Sequence, residues 1–186
     1  MRKNLNAKSY MYPLPVLIVG TYDENGVPNA MNAAWGTICD TAQVAIVLSA
    51  GHKTVKNLLK MKAFTVSMAD AKNVMPSDFV GVVSANNQPN KLEKTGWHIQ
   101  KSEFVNAPII EELPLTLECK LVSYDTDTEI CIGEVVNVSV DEGILDEKGK
   151  IALTKFKPIC YDCGGHGYYT LGERVGNAFS DGLKLK

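Results

Sequence analysis

The feature that most constrains this chain is an apolar run that stops at a tight polar turn and then resumes. PVLIVGTY, Pro15 to Tyr22, is rich in β-branched residues, ends at DENG, and is followed after Val27 and Pro28 by NAMNAAWGT, Asn29 to Thr37. That order reads as strand, turn and returning strand. The returning strand has an odd content: two Asn, one Trp and one Gly among small apolar residues. Small side chains leave backbone N–H and C=O groups accessible. A planar ligand can then lie against Ala33, Ala34 and Gly36, with Asn29 and Asn32 at its edge and Trp35 as a wall. On this segment alone, a packed strand facing a helix is the better reading.

QVAIVLS, Gln43 to Ser49, is apolar throughout and is expected to be a third strand, buried on both faces. SAGHKT then forms a polar loop leading into TVKNLLKMK, where Val55, Leu58 and Leu59 fall at helical spacing and Thr54 sits where an N-cap belongs. AFTVSM returns to strand. Pro76 suits a helix start, with Phe79, Val82 and Val83 as its apolar stripe. In LTLECKLVSY, Leu115, Leu117, Cys119 and Leu121 alternate with Thr116, Glu118 and Lys120, a half-buried strand. In EICIGEVVNVSV, Ile130, Ile132, Val136, Val138 and Val140 are expected on one face. The last thirty-odd residues carry little periodicity. About six strands joined by short turns, with two or three helices, favour a mostly antiparallel sheet or barrel over a doubly wound fold.

The length of 186 residues, 45% apolar and 22% charged, suits one domain over residues 1–186. A net charge of -2 gives no basic footprint for nucleic acid. No apolar run approaches a bilayer span, and MRKNLNAKSYMYPLP has no signal-peptide core, so no membrane partner is expected. Five scattered cysteines argue against a secreted disulfide framework and for a cytoplasmic protein with reduced thiols.

SAGHKT joins a strand to a helix start, where free N–H groups and the helix dipole favour an anion. Ser49, His52, Lys53 and Thr54 add hydroxyls and a cation, the combination a phosphate needs. Without further context, a capped helix with a solvated lysine is the more economical reading. CYDCGGHGYY offers Cys160, Cys163 and His166, three ligands where structural zinc takes four, and its glycines do not suit a thioredoxin-like helix start, so no metal is expected. No GxGxxG follows a strand, and no Ser-His-Asp order or HExxH is visible, so no catalytic residue is singled out. His98, after Trp97, reads as a partly buried, satisfied histidine, and Lys91 as a solvated loop lysine.

Taken in order, YPLPVLIVGTYDENGVPNAMNAAWGT, LSAGHKTVKNL, SDFVGVVSANNQPNKLEKTGW, EICIGEVV and GYYTLGERVG resemble the flavin reductase-like family of FMN-binding split barrels, and its flavoredoxin-type branch in particular. The resemblance runs from about Tyr12 to Phe179. It implies a split β-barrel with peripheral helices, FMN as cofactor, a homodimer, and electrons exchanged with NAD(P)H or a redox protein. It also implies that Asn29, Asn32, Ala33, Ala34, Trp35 and Gly36 lie against the flavin ring, and that Ser49, His52, Lys53 and Thr54 hold the phosphate. Lys91 matches a flavin-contacting lysine, and Tyr168 or Tyr169 the late aromatic that covers the site. Relatives often carry a His just before the IGEV segment, where this chain has Thr128 and Glu129. The alternative within the resemblance is a non-catalytic FMN- or haem-binding protein.

Overall fold

The computed structural model describes residues 1–186. Fifteen elements follow in chain order. They are β1 (Leu14–Pro15), β2 (Leu17–Tyr22), β3 (Pro28–Ala33), β4 (Gly36–Asp40), β5 (Gln43–Val47), α1 (Lys53–Met61), β6 (Ala63–Met68) and α2 (Val74–Val82). After them come β7 (Ile99–Lys101), β8 (Pro108–Ile110), β9 (Leu115–Tyr124), β10 (Ile130–Val140), α3 (Leu153–Phe156), β11 (Ile159–Asp162) and β12 (Gly167–Thr170).

Seven strands form one curled sheet in the order β3-β2-β6-β9-β10-β5-β4, every neighbouring pair antiparallel. β1, β11 and β12 make a second antiparallel sheet. The mostly β, antiparallel expectation holds. The count of about six strands was low: NAMNAAWGT is two strands, since β3 ends at Ala33 and Gly36 opens β4, which pairs with β5 instead, and the short strands β1, β7, β8, β11 and β12 were not anticipated. Gly36 permits that break. A Cβ there would come within 2.5 Å of Leu17 Cδ1, so only glycine lets β4 cross so close.

α1 lies on the sheet, burying Val55 and Leu58 among Leu17, Phe64 and Ile46. Burying each such side chain contributes about 1.5–3 kcal/mol. Lys62 ends the helix at φ 58°, its N–H returning to Leu58 O. Thr54 is not the N-cap. His52 takes that position without a side-chain bond, and Thr54 is buried two residues further on, in the first turn. α2 packs over β3, but on Val80 and Ser77; Val82 is exposed, contrary to the expected stripe. Pro76 sits in its first turn and does not open it.

Three strand expectations change for physical reasons. β5 is not buried on both faces: Val44 and Ile46 are buried and Val47 is open, because its second face borders a cavity. On β9, Thr116 and Glu118 are buried, since another segment covers their face. Glu118 accepts from Ser102 Oγ and, at 2.6 Å, from Asn137 Nδ2. On β10 the inward face at the start of the strand is that of Cys131 and Gly133, packed in the core beside Phe64, so Ile130 is exposed; further on, the extra residue at Val136 opposite β9 breaks the alternation, and Val138 is exposed. The seemingly aperiodic C-terminal region supplies the β11–β12 hairpin.

Candidate functional site

A cavity of about 620 Å³ opens where the β3–β4 break, the end of β5, α2 and the β11–β12 hairpin meet. Ligand sites fall in this size range. Its lining includes Asn32, Ala33, Ala34, Trp35, Ser49, His52 and Tyr168, seven of the twelve residues singled out from the sequence.

The break between β3 and β4 builds one wall. It turns Ala33 and Ala34 into the cavity and leaves Trp35 half exposed at the rim, its carbonyl accepting from Val47 N–H at 2.8 Å. Asn32 Nδ2 donates to Ser77 O at 3.0 Å, tying α2 to β3. A Cβ on Gly81 would come within 2.9 Å of Asn32 Cβ, so this glycine sets how closely the helix approaches the strand.

The SAGHKT loop builds the next wall. Ser49 and His52 line the cavity, while the first-turn N–H groups of Lys53 and Thr54 find no acceptor in the chain. Such a helix start favours an anion. Thr54 is buried and its Oγ1 accepts from Asn29 Nδ2 at 2.8 Å, which leaves the buried Asn29 Oδ1 without a partner. Lys53 pairs with Asp23 at 3.5 Å, and with Asn29 it borders a second recess of about 310 Å³. Glu129, at φ 59°, braces the loop: its carboxylate accepts from Ser49 Oγ at 3.0 Å and from Ala50 N–H at 2.8 Å. Those bonds hold its carboxyl below the usual range. Where relatives were expected to carry an imidazole, this chain carries a loop fastener.

Lys91 is no solvated lysine. It is buried, and its Nζ donates to Val80 O and Val83 O, both at 2.7 Å, closing the C-terminal end of α2. Burial pulls its ammonium down to about 8. It is not among the residues lining the cavity, and neither is Gly36, whose role is the close crossing over Leu17.

Of the remaining wall only Tyr168 was singled out from the sequence. α2 contributes Asp78, Gly81 and Val82, and the hairpin contributes Tyr161, His166 and Tyr168. Tyr168 donates its hydroxyl to Asp78 Oδ1 at 2.7 Å, and burial together with this carboxylate pushes the phenol up to about 12. The signal available was the spacing of Tyr161, His166 and Tyr168 around a glycine turn, but their meeting with Asp78 depends on tertiary packing. His98, in contrast, lies outside the cavity and is exposed, not partly buried. Its Nδ1 is 2.6 Å from Glu112 Oε1, which raises the imidazole's pKa. Cys160 and Cys163 are free thiols: Cys163 Sγ donates to Ser9 O at 2.9 Å, and Cys160 borders an apolar recess with Leu14 and Pro15.

The flavin reductase like domain family model matches residues 9–165. Among solved structures, the flavoredoxin of Desulfovibrio vulgaris (Miyazaki F) is 34% identical, with a TM-score of 0.94, over 98% of this chain and all of its own. A flavoredoxin from Methanosarcina acetivorans is 26% identical, with a TM-score of 0.87, over 100% of this chain and 98% of its own. A protein of Aquifex aeolicus is 28% identical over 156 residues, 79% of each chain. The split-barrel fold expected from the sequence is thereby established. No helix of the structure is long and apolar enough to cross a membrane.

Proposed function

The chain belongs to the flavin reductase like domain family, and on that premise we propose that it is an FMN-holding oxidoreductase that passes electrons between NAD(P)H or a redox protein and the flavin. One observation carries the reading: a floor of small residues and an aromatic rim face a cavity of about 620 Å³ that the loop opening α1 lines with Ser49 and His52, while Asn29 and Lys53 of the same region border a second recess. The residues fit the group. Ala33 and Ala34 clear space for a flat ring and Trp35 walls it, and Asn29, which borders the second recess, keeps a buried Oδ1 with no partner in the chain.

Bound there, FMN supplies hydride and electron transfer, which no side chain of this cavity can perform. The protein's part is to bind, orient and exclude water. The N–H groups of Lys53 and Thr54, the α1 dipole and the Lys53 ammonium hold the phosphate. Asn32 fixes α2 against β3, and Lys91 closes the end of α2, so both position the wall that carries Asp78 and Val82. Tyr168, held by Asp78, covers the site. We further propose a cytoplasmic homodimer, as the resemblance implies.

The test is an anaerobic absorption spectrum of the FMN-loaded protein before and after NADH or NADPH. Rapid bleaching of the flavin band identifies a nicotinamide-linked reductase. A band that stays oxidised with both donors, yet bleaches with a reduced redox protein, identifies an electron carrier. A band that no donor bleaches overturns the oxidoreductase reading.

A further inference from the structure

The three-stranded sheet has two faces, and the cavity uses one of them. Register and alternation put Tyr161 and Tyr168 on one side, and Pro15, Cys160 and Tyr169 next to one another on the other. The first side meets the cavity. The second is open: Tyr169 is 62% exposed, and Pro15 and Cys160 border an apolar recess of about 300 Å³. Met68, Phe156 and Leu171 are among its other walls, and no charged side chain lines it.

The segment after β12 carries apolar side chains that touch nothing. Leu171 stands at the recess, and from there the chain runs on to Lys186. Val175 and Phe179 are fully exposed, and Leu185 nearly so. The segment is nonetheless fastened to itself. Arg174 Nε donates to Gly176 O at 3.0 Å, and its guanidinium donates to Asn177 Oδ1. Asn177 N–H donates to Asp181 Oδ2 at 2.7 Å, and Lys184 pairs with Asp181 at 2.8 Å. Every hydrogen bond of residues 172–186 stays within the segment. Ordering it costs conformational entropy, and within one chain no apolar burial offsets that cost.

Both halves of an apolar contact are thus present in one chain, and they do not meet within it. A second copy supplies the match. Leu171 is the root of the tail and also a wall of the recess. A two-fold axis that sets two roots side by side therefore places each tail against the other copy's recess. From Leu171 to Phe179 the chain can span up to about 26–29 Å, enough to cross such an axis.

We propose that residues 172–186 form an exchanged arm: in the dimer each copy lays Val175 and Phe179 on the outer face of its partner's three-stranded sheet, with Phe179 in the recess. The inference rests on the homodimer reading and supplies its means of closure. Because Tyr161 and Tyr168 stand on the other face of that sheet, the arm braces the cavity's cover from behind.

A chain with Phe179 replaced by p-benzoylphenylalanine tests the arm, because its ketone links on irradiation to whatever lies against the ring. Light scattering first gives the solution mass. The expected result is a mass of two chains, a covalent dimer in denaturing electrophoresis, and linked peptides joining position 179 to Pro13–Val16 or Phe156–Cys160. A mass of two chains with links inside one chain, links to any other segment, or no covalent dimer would overturn the arm alone. A mass of one chain would overturn the homodimer reading, and the arm with it. Ending the unsubstituted chain after Leu171 removes no hydrogen bond of the body and leaves the fold intact. It should raise the dimer's dissociation constant about a hundredfold, as loss of two buried apolar anchors does, measured by sedimentation. An unchanged constant would overturn the arm.

Discussion

The two sides of the cavity are made in different ways. The small-residue side belongs to the seven-stranded sheet, with its ladder on β2 and buried bonds behind it: Asn29 to Thr54 at 2.8 Å and Asn57 to Thr21 at 3.1 Å. The hairpin side belongs to the three-stranded sheet: its base is anchored by Ile159, buried with Val16 and Ile18, while its outer part is fastened by exposed side-chain bonds, Tyr168 to Asp78 at 2.7 Å and Tyr12 to Asp162 at 2.6 Å. Buried bonds resist loss because an orphaned partner cannot turn to water, whereas exposed ones exchange with solvent cheaply. The contrast pairs a rigid seat with an adaptable cover.

The strongest way to break this contrast is to damage the seat. Lys53→Ala combined with Thr54→Ala should weaken FMN binding by about a hundredfold or more, from loss of charge-assisted contacts, measured by flavin fluorescence titration. Because Thr54 is buried against Asn29, the same change should lower unfolding free energy by about 1–3 kcal/mol in urea. Unchanged affinity would move the phosphate elsewhere.

Next in size is the seam between the two sides. Gly81→Val places a Cβ against Asn32, where the gap is 2.9 Å. The expected loss is about 1–3 kcal/mol in denaturation midpoint analysis, together with weaker FMN retention. Lys91→Met removes the donor to Val80 O and Val83 O and should lower stability by about 1–3 kcal/mol at pH 7. Its pH signature is specific. The folded value of about 8 lies below the ordinary 10.5. Between the two the unfolded chain holds more protons, so the wild type gains stability as pH rises from about 8 toward 10.5. Below 8 this contribution is flat, and denaturant melts of Lys91→Met should lack the alkaline gain.

The smallest effect on stability belongs to Trp35→Ala. The ring is half exposed, so the change should stay within about 0.5 kcal/mol, yet the visible band of bound flavin should shift. An unaltered band would remove the ring from the rim.

The seat was legible because its signals are local. A hairpin turn, a run of small residues and a polar loop before an amphipathic helix all lie within Pro15–Met61, and with three later segments in order they carried the family resemblance. Thr54 was assigned to the right loop but the wrong task, since an N-cap and a buried first-turn threonine look alike until the bond to Asn29 is seen. Of the cover only Tyr168 was anticipated, through the resemblance, and its partner was not. Asp78 and Tyr168 are 90 residues apart in sequence, and nothing in either neighbourhood announces the other. The break at Ala34 and Trp35 was hidden because the small and apolar run continues through it, and the apolar face of β10 was misplaced because its inward residues are Cys131 and Gly133 and a bulge at Val136 interrupts the register. Lys91 and Glu118 read as solvated because a charge is burdensome to bury; each is buried with its own hydrogen-bond partners.

The central claim is that the β3–β4 break and the α1 start together form a flavin seat. The most direct measurement incubates the protein and the Lys53→Ala, Thr54→Ala variant with FMN, removes free flavin by gel filtration, and records the visible absorption of each protein fraction. The account predicts a flavin band in stoichiometric amount with the wild type and little or none with the variant. A wild-type fraction without flavin, or a variant that keeps it equally well, would contradict the seat.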